Sequence, residues 1–130
     1  MNDALFCSIH VDSSLAREAM ASLVAELTGG VVAHSDVDLP WGQIAVDDDY
    51  GMFERRVADA DDFLGWPTLL EVMPFDSARR EDVVPAVVSL MKALIARGMR
   101  VLAKGEYAED LPGGGEVAGV DGVNMLSKRG

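Results

Sequence analysis

The chain has 130 residues, of which 49% are hydrophobic, and this composition is typical of one folded domain rather than of a disordered segment. Twenty-two acidic residues against eleven basic ones give a formal net charge of −11 at pH 7. This charge excludes a general nucleic-acid-binding role, because phosphate contacts require Lys and Arg, and it favours attraction to basic partners.

The first predicted element is a strand over residues 4–11, ALFCSIHV. Its alternation places Leu5, Cys7 and Ile9 on one apolar side, so Cys7 is interpreted as a buried small hydrophobe rather than a nucleophile. A single cysteine is typical of a cytoplasmic protein. Because the N-terminus has neither a positively charged region nor a long apolar run, we expect no signal peptide and no membrane span.

The second predicted element is an amphipathic helix over residues 13–30, SSLAREAMASLVAELTGG. Asp12 or Ser13 is the expected N-cap, and Gly29-Gly30 ends the helix. Residues 31–49 then predict two short extended pieces, VVAHSDV and WGQIAVDDD, joined through the turn Asp38-Leu39-Pro40. The segment that follows, YGMFERRVADADD, predicts a long loop or one irregular helical turn.

The clearest pattern runs from Phe63 to Tyr107 and predicts a strand, an amphipathic helix and a second strand. Such a crossover places its two strands parallel to one another in the same sheet. After Tyr107 the chain becomes rich in glycine, with six glycines between Gly113 and Gly130. We therefore predict one α+β domain over residues 1–112 and a flexible or partner-ordered tail over residues 113–130.

The order of these elements matches the split βαβ arrangement of a ferredoxin-like two-layer sandwich. Two helices would cover one face of a mainly antiparallel sheet of four to five strands and leave the other face open. A doubly wound fold is less consistent with this pattern, because two helices cannot cover both faces of such a sheet.

An acidic segment between Asp36 and Asp62 is the strongest compositional feature, with nine carboxylates opposed by Arg55 and Arg56 alone. It is interpreted as a solvated loop that maintains solubility, as a docking surface for a basic protein, or as a cation site. Trp41 and Trp66 flank the acidic loop at residues 47–62 and are either core residues or the apolar centre of an interface. The candidate partner-binding residues are Asp36, Asp38, Trp41, Asp47, Asp48, Asp49 and Trp66.

The open sheet face supplies an alternative site, since strand alternation places His10, Glu71 and Lys104 on it. These three side chains are either an acid–base set or a cross-strand charge network. A small enzyme or ligand-binding protein is the function that the first interpretation implies. A homodimer formed through the same face is a further alternative.

No phosphate-binding loop, CxxC, HExxH or GxSxG motif occurs in the sequence, so we predict no cofactor, no metal site and no catalytic residue. The stretches FLGWPTLLEVMPF and GMRVLAKGEYAEDLP resemble segments of small stand-alone acidic bacterial proteins, some of immunity type. The resemblance implies a non-enzymatic module that binds a basic protein, such as a toxin domain. It covers about a third of the chain and carries no site residue.

Overall fold

The computed structural model describes residues 3–47 and 66–119. The predicted loop over residues 50–62 and the last part of the predicted tail, residues 120–130, lie outside the described residues, as do positions 63–65 of the predicted strand. The described elements are two helices, α1 (Arg17–Thr28) and α2 (Arg80–Ala96), and six strands, β1 (Cys7–Asp12), β2 (Val31–Ala33), β3 (Asp36–Leu39), β4 (Gly42–Asp47), β5 (Thr68–Pro74) and β6 (Arg100–Gly105).

The six strands form one sheet in the order β2-β3-β4-β5-β1-β6, with every neighbouring pair antiparallel. The molecule is therefore an α+β protein with a six-stranded antiparallel sheet, larger than the predicted four to five strands. Because β5 and β6 both run antiparallel to β1, they are parallel to one another with β1 between them. This confirms that the strands flanking α2 are parallel members of one sheet.

The sixth strand comes from a hairpin that the sequence interpretation missed. VVAHSDV was predicted to be a single extended piece, but it is β2, a turn at His34-Ser35 and the first part of β3. His34 has φ of 63°, a left-handed conformation that a non-glycine residue adopts in tight turns. Nothing in the local sequence pattern requires a turn at His34. The alternation of apolar and polar residues therefore did not reveal that the chain reverses direction between β2 and β3.

Both helices pack on the same face of the sheet, as predicted, and share one core with it. The helix-facing side of β1 consists of Cys7, Ile9 and Val11, none of which is exposed. The buried residues of the helices are Met20, Ala21 and Val24 of α1 and Val83, Val87, Leu90, Met91 and Leu94 of α2. The other face of the sheet, called the outer face below, carries the alternate residues of each strand.

Helix α1 begins later than its predicted cap. The N-cap of α1 is Ala16 rather than Asp12 or Ser13, because the Ser13 hydroxyl accepts the backbone N–H of Leu15 and so forms a turn before the helix. Helix α1 ends as expected at Gly29, and α2 ends just before Gly98. Gly29 and Gly98 have φ of 77° and 89°, the left-handed geometry that closes a helix.

The segment after β6 folds back on that strand. Val101 and Ala118 exchange two backbone hydrogen bonds, at 2.7 and 2.8 Å. Ala118 of the predicted tail is therefore paired with the sheet, whereas the division of the chain at residue 112 stays a prediction. Within the described residues, neither helix is both long enough and apolar enough to cross a bilayer.

Candidate functional site: the outer face of the sheet

The outer face carries residues of both candidate sets. Alternation places Gln43, Ala45 and Asp47 of β4 on this face, while their neighbours Gly42, Ile44 and Val46 are buried toward the helices. On β3, Asp36 and Asp38 alternate in the same way with the buried Val37 and Leu39. Three of the acidic residues predicted to bind a partner, Asp36, Asp38 and Asp47, therefore share a face with the proposed acid–base set.

The acid–base set is only partly assembled. Ser8 of β1 lies directly opposite Glu71 on one side and Lys104 on the other, so these two residues flank Ser8 in one row. His10 lies in the next row, between Leu69 and Leu102, and it is only 5% exposed. Burial, together with the charge of Lys104, lowers the pKa of His10 from its ordinary value of 6.5. His10 is therefore neutral at pH 7 and has little access to a substrate.

This lowered pKa predicts a loss of stability in mild acid. The unfolded chain takes up a proton at His10 as the pH falls below 6.5, but the folded protein does so only below its lower folded-state pKa. The free energy of unfolding should therefore fall in that window by at most about 1.4 kcal/mol per pH unit. Urea unfolding of wild type and His10→Gln between these pH values should show the loss in wild type alone.

The matched control for this measurement is His34→Gln, which removes the exposed histidine of the β2–β3 turn. It should retain the wild-type pH dependence. Parallel pH curves for wild type and His10→Gln would contradict the assignment of the stability loss to His10.

The carboxylates of β3 are held by the neighbouring strand. One oxygen of Asp36, Oδ1, accepts the backbone N–H of Val46 at 3.1 Å, and Oδ1 of Asp38 accepts the side-chain amide of Gln43 at 2.9 Å. Asp38 is exposed, whereas Asp36 and Asp47 are half-buried. Three of the five predicted carboxylates thus lie on the outer face, while Asp48 and Asp49 lie outside the described residues.

The two tryptophans have different surroundings. Trp66 is buried, and the guanidinium of Arg100 lies over its ring at 5.2 Å from the ring centre. Arg100 in turn donates to Asp12 through Nε at 3.1 Å and Nη2 at 2.6 Å. Trp66 is therefore buried beside Arg100, outside the hydrophobic cluster that the two helices form with the sheet. Trp41 is half-buried against the core, and its carbonyl accepts the backbone N–H of Phe75 at 2.8 Å.

A shallow depression at one end of the sheet was not identified from the sequence. It has a volume of about 360 Å³ and is lined by Gln43, Met73, Pro74, Phe75 and Asp76. Phe75 follows the last residue of β5 and is 52% exposed, which is unusual for a large aromatic side chain. The register places Gln43 opposite both Met73 and Asp38. The depression is therefore continuous with the acidic part of the outer face.

Cys7 is buried on the helix-facing side, as predicted. Burial raises the pKa of its thiol from 9.0 to about 11, against smaller opposing effects of hydrogen bonds. Because the thiolate is the reactive form, we expect native Cys7 to react with a disulfide reagent at pH 8 at least about 100-fold more slowly than in urea. Equal rates with and without urea would contradict this expectation.

The described residues contain no group of three or more His, Cys, Asp or Glu side chains arranged to hold a metal ion. Comparison of the chain with protein-family models, with curated proteins and with solved structures finds no match. The resemblance to immunity-type proteins therefore stays a prediction.

Proposed function

We propose that the protein is a non-enzymatic module that binds a basic protein partner through its outer face. The observation that carries this proposal is the continuity of the Phe75 depression, through Gln43, with the carboxylates of β3. An exposed aromatic side chain supplies the apolar centre that interface hot spots require. The surrounding carboxylates supply complementarity to basic residues, which accelerates association.

The net charge of −11 supports the same proposal, because long-range attraction raises the association rate with a basic protein. The resemblance stated above would make this partner a toxin-like domain of a bacterium. We also propose a ferredoxin-like assignment for the fold, on the support of the strand order β4-β5-β1-β6 with both helices on one face.

The enzyme alternative depends on His10, Glu71 and Lys104. His10 is buried between two leucines and lies one row away from the other two residues. Because a general base must reach the proton that it abstracts, this placement favours the binding module over the acid–base interpretation.

Affinity capture from the source organism with three immobilised baits tests the proposed function. The baits are the wild type, a double variant on the outer face, Asp38→Asn with Phe75→Ser, and a matched double variant elsewhere, Glu116→Gln with Val117→Ser. Glu116 and Val117 are an exposed carboxylate and an exposed apolar residue outside the depression, so they match the type of change.

A basic protein should be retained by the wild-type bait and by the matched control, and at least about 10-fold less by the outer-face variant, which corresponds to about 1.4 kcal/mol. Equal retention by all three baits would contradict a role for the outer face. Retention of acidic proteins alone would contradict the charge argument.

A further inference from the structure

The two edges of the sheet differ in how they are protected. The β6 edge is covered where Val101 and Ala118 exchange their backbone hydrogen bonds. At the opposite edge, β2 pairs only with β3 within the described residues. One edge of the described sheet is thus paired at Val101, and the other is open along β2.

The open strand lacks the side chains that usually prevent edge-to-edge pairing. Natural edge strands carry Lys, Pro or inward-pointing charges, whereas β2 consists of Val31, Val32 and Ala33. Val31 is 68% exposed and Val32 is 42% exposed. The short length of β2 is its remaining protection, so any pairing that it makes should be weak.

The backbone of β2 presents its central residue to the outside. A two-residue turn at His34-Ser35 joins β2 to β3, and the pair that flanks such a turn, Ala33 and Asp36, exchanges both of its hydrogen bonds. Because bonded and non-bonded pairs alternate in an antiparallel ladder, Val32 is not bonded to Val37 opposite it. The N–H and the carbonyl of Val32 therefore point away from the sheet.

We propose that β2 pairs antiparallel with β2 of a second copy of this chain, about a two-fold axis at Val32. The Val32 residues of the two copies would exchange two backbone hydrogen bonds, and Val31 of each copy would face Ala33 of the other. The two sheets then become one continuous sheet. This dimer uses a sheet edge rather than the outer face, so it does not depend on the proposed function.

The charges near the β2 edge permit a second copy of the chain to pair there. The residues that meet across the axis are neutral, and the carboxylates of β3 lie one strand behind them in each copy. Three strand spacings, about 14 Å, separate the β3 strands of the two copies. This distance exceeds the screening length of about 10 Å at 0.1 M salt. Two chains of net charge −11 repel one another at lower salt, so salt should strengthen the dimer.

Pairing of β2 with β2 would give a closed dimer rather than a growing chain of copies. Isologous pairing uses the same strand of both copies, so that association ends when the two open edges have met. The alternative is that an extended segment of another protein pairs with β2. In that case the purified chain, which lacks this protein, would be monomeric.

Sedimentation velocity of the purified chain tests the proposal, with protein concentrations up to about 1 mM and NaCl of about 0.05 M and about 0.5 M. The mass should rise from 13.9 kDa toward twice that value with concentration, and more so at the higher salt. Val32→Asp places two carboxylates opposite one another, and it should weaken the dimer at least about 10-fold even at the higher salt. Val117→Asp is the matched control and should leave the dimer unchanged.

Val32→Pro provides a second variant that preserves the pairing of β2 with β3, because it removes only an outward N–H. It too should weaken the dimer. A monomer under all conditions, or dimers of Val32→Asp and Val32→Pro as stable as those of wild type, would overturn the proposal. Basic-partner binding should instead weaken with salt, so the failure of one proposal is distinguishable from the failure of the other.

Discussion

Replacement of Tyr107 by Ala should destabilise the protein by about 3–5 kcal/mol, the range for truncation of a buried aromatic side chain. The Tyr107 side chain is almost completely buried, and its hydroxyl donates to the carbonyl of Leu5 at 3.0 Å. The guanidinium of Arg80, at the start of α2, lies 5.8 Å from the centre of its ring and also pairs with Asp110. Tyr107 thus connects the short 3-10 turn Asp3–Leu5, α2 and the segment after β6.

Urea unfolding of Tyr107→Ala and Tyr107→Phe measures this contribution. The Phe variant retains the ring and loses the hydroxyl, so it should cost about 1–2 kcal/mol, mostly from the unpaired carbonyl of Leu5. Val117→Ala, at an exposed position, should change stability by less than about 0.5 kcal/mol. A loss below about 1 kcal/mol in Tyr107→Ala would contradict the central packing role.

Replacement of Gly42 by Ala should cost about 2–3 kcal/mol, because β4 and β5 approach one another closely at this residue. An added Cβ would lie 2.6 Å from the carbonyl oxygen of Met73 and 2.7 Å from the Cα of Pro74. Both atoms belong to the backbone of β5, so a side-chain rotation cannot relieve the contact. The strands would have to separate where the carbonyl of Trp41 accepts the N–H of Phe75.

Gly29→Ala is the appropriate comparison, measured in the same urea titrations. No atom lies within 4 Å of a Cβ added there, and only its φ of 77° resists substitution. Its cost should be about 1 kcal/mol, from left-handed strain alone. If Gly42→Ala were no more destabilising than Gly29→Ala, the close approach of β4 and β5 would not be a determinant of stability.

The part of the fold that depends on periodicity was predictable from the sequence. Alternation in β1 correctly assigned Cys7 and Ile9 to the core, and the segment from Phe63 to Tyr107 correctly gave two parallel strands in one sheet. The β2–β3 turn was not predictable, since it depends on one non-glycine residue, His34, in a left-handed conformation. Tertiary pairing with β4 stabilises that turn, and a local pattern does not contain this information.

The sequence predicted on which face of the sheet the candidate site residues lie, but not how they are arranged there. Alternation placed His10, Glu71 and Lys104 on the side of the sheet away from the helices, but it could not show that His10 is buried. The Phe75 depression arises from the register of β4 against β5, which the sequence does not specify directly. Trp66 is likewise buried beside Arg100, a residue far away in the sequence, and a local pattern does not show this contact.

The association rate constant with the captured basic partner, measured against salt concentration, tests the acidic docking surface most directly. We expect the rate constant to fall at least about 10-fold as the screening length shortens from about 10 Å at 0.1 M salt to about 3 Å at 1 M. The variant in which Asp47, Asp48 and Asp49 are all replaced by Asn should associate more slowly than wild type at low salt and keep its fold. An association rate that neither salt nor this substitution changes would contradict the proposed function.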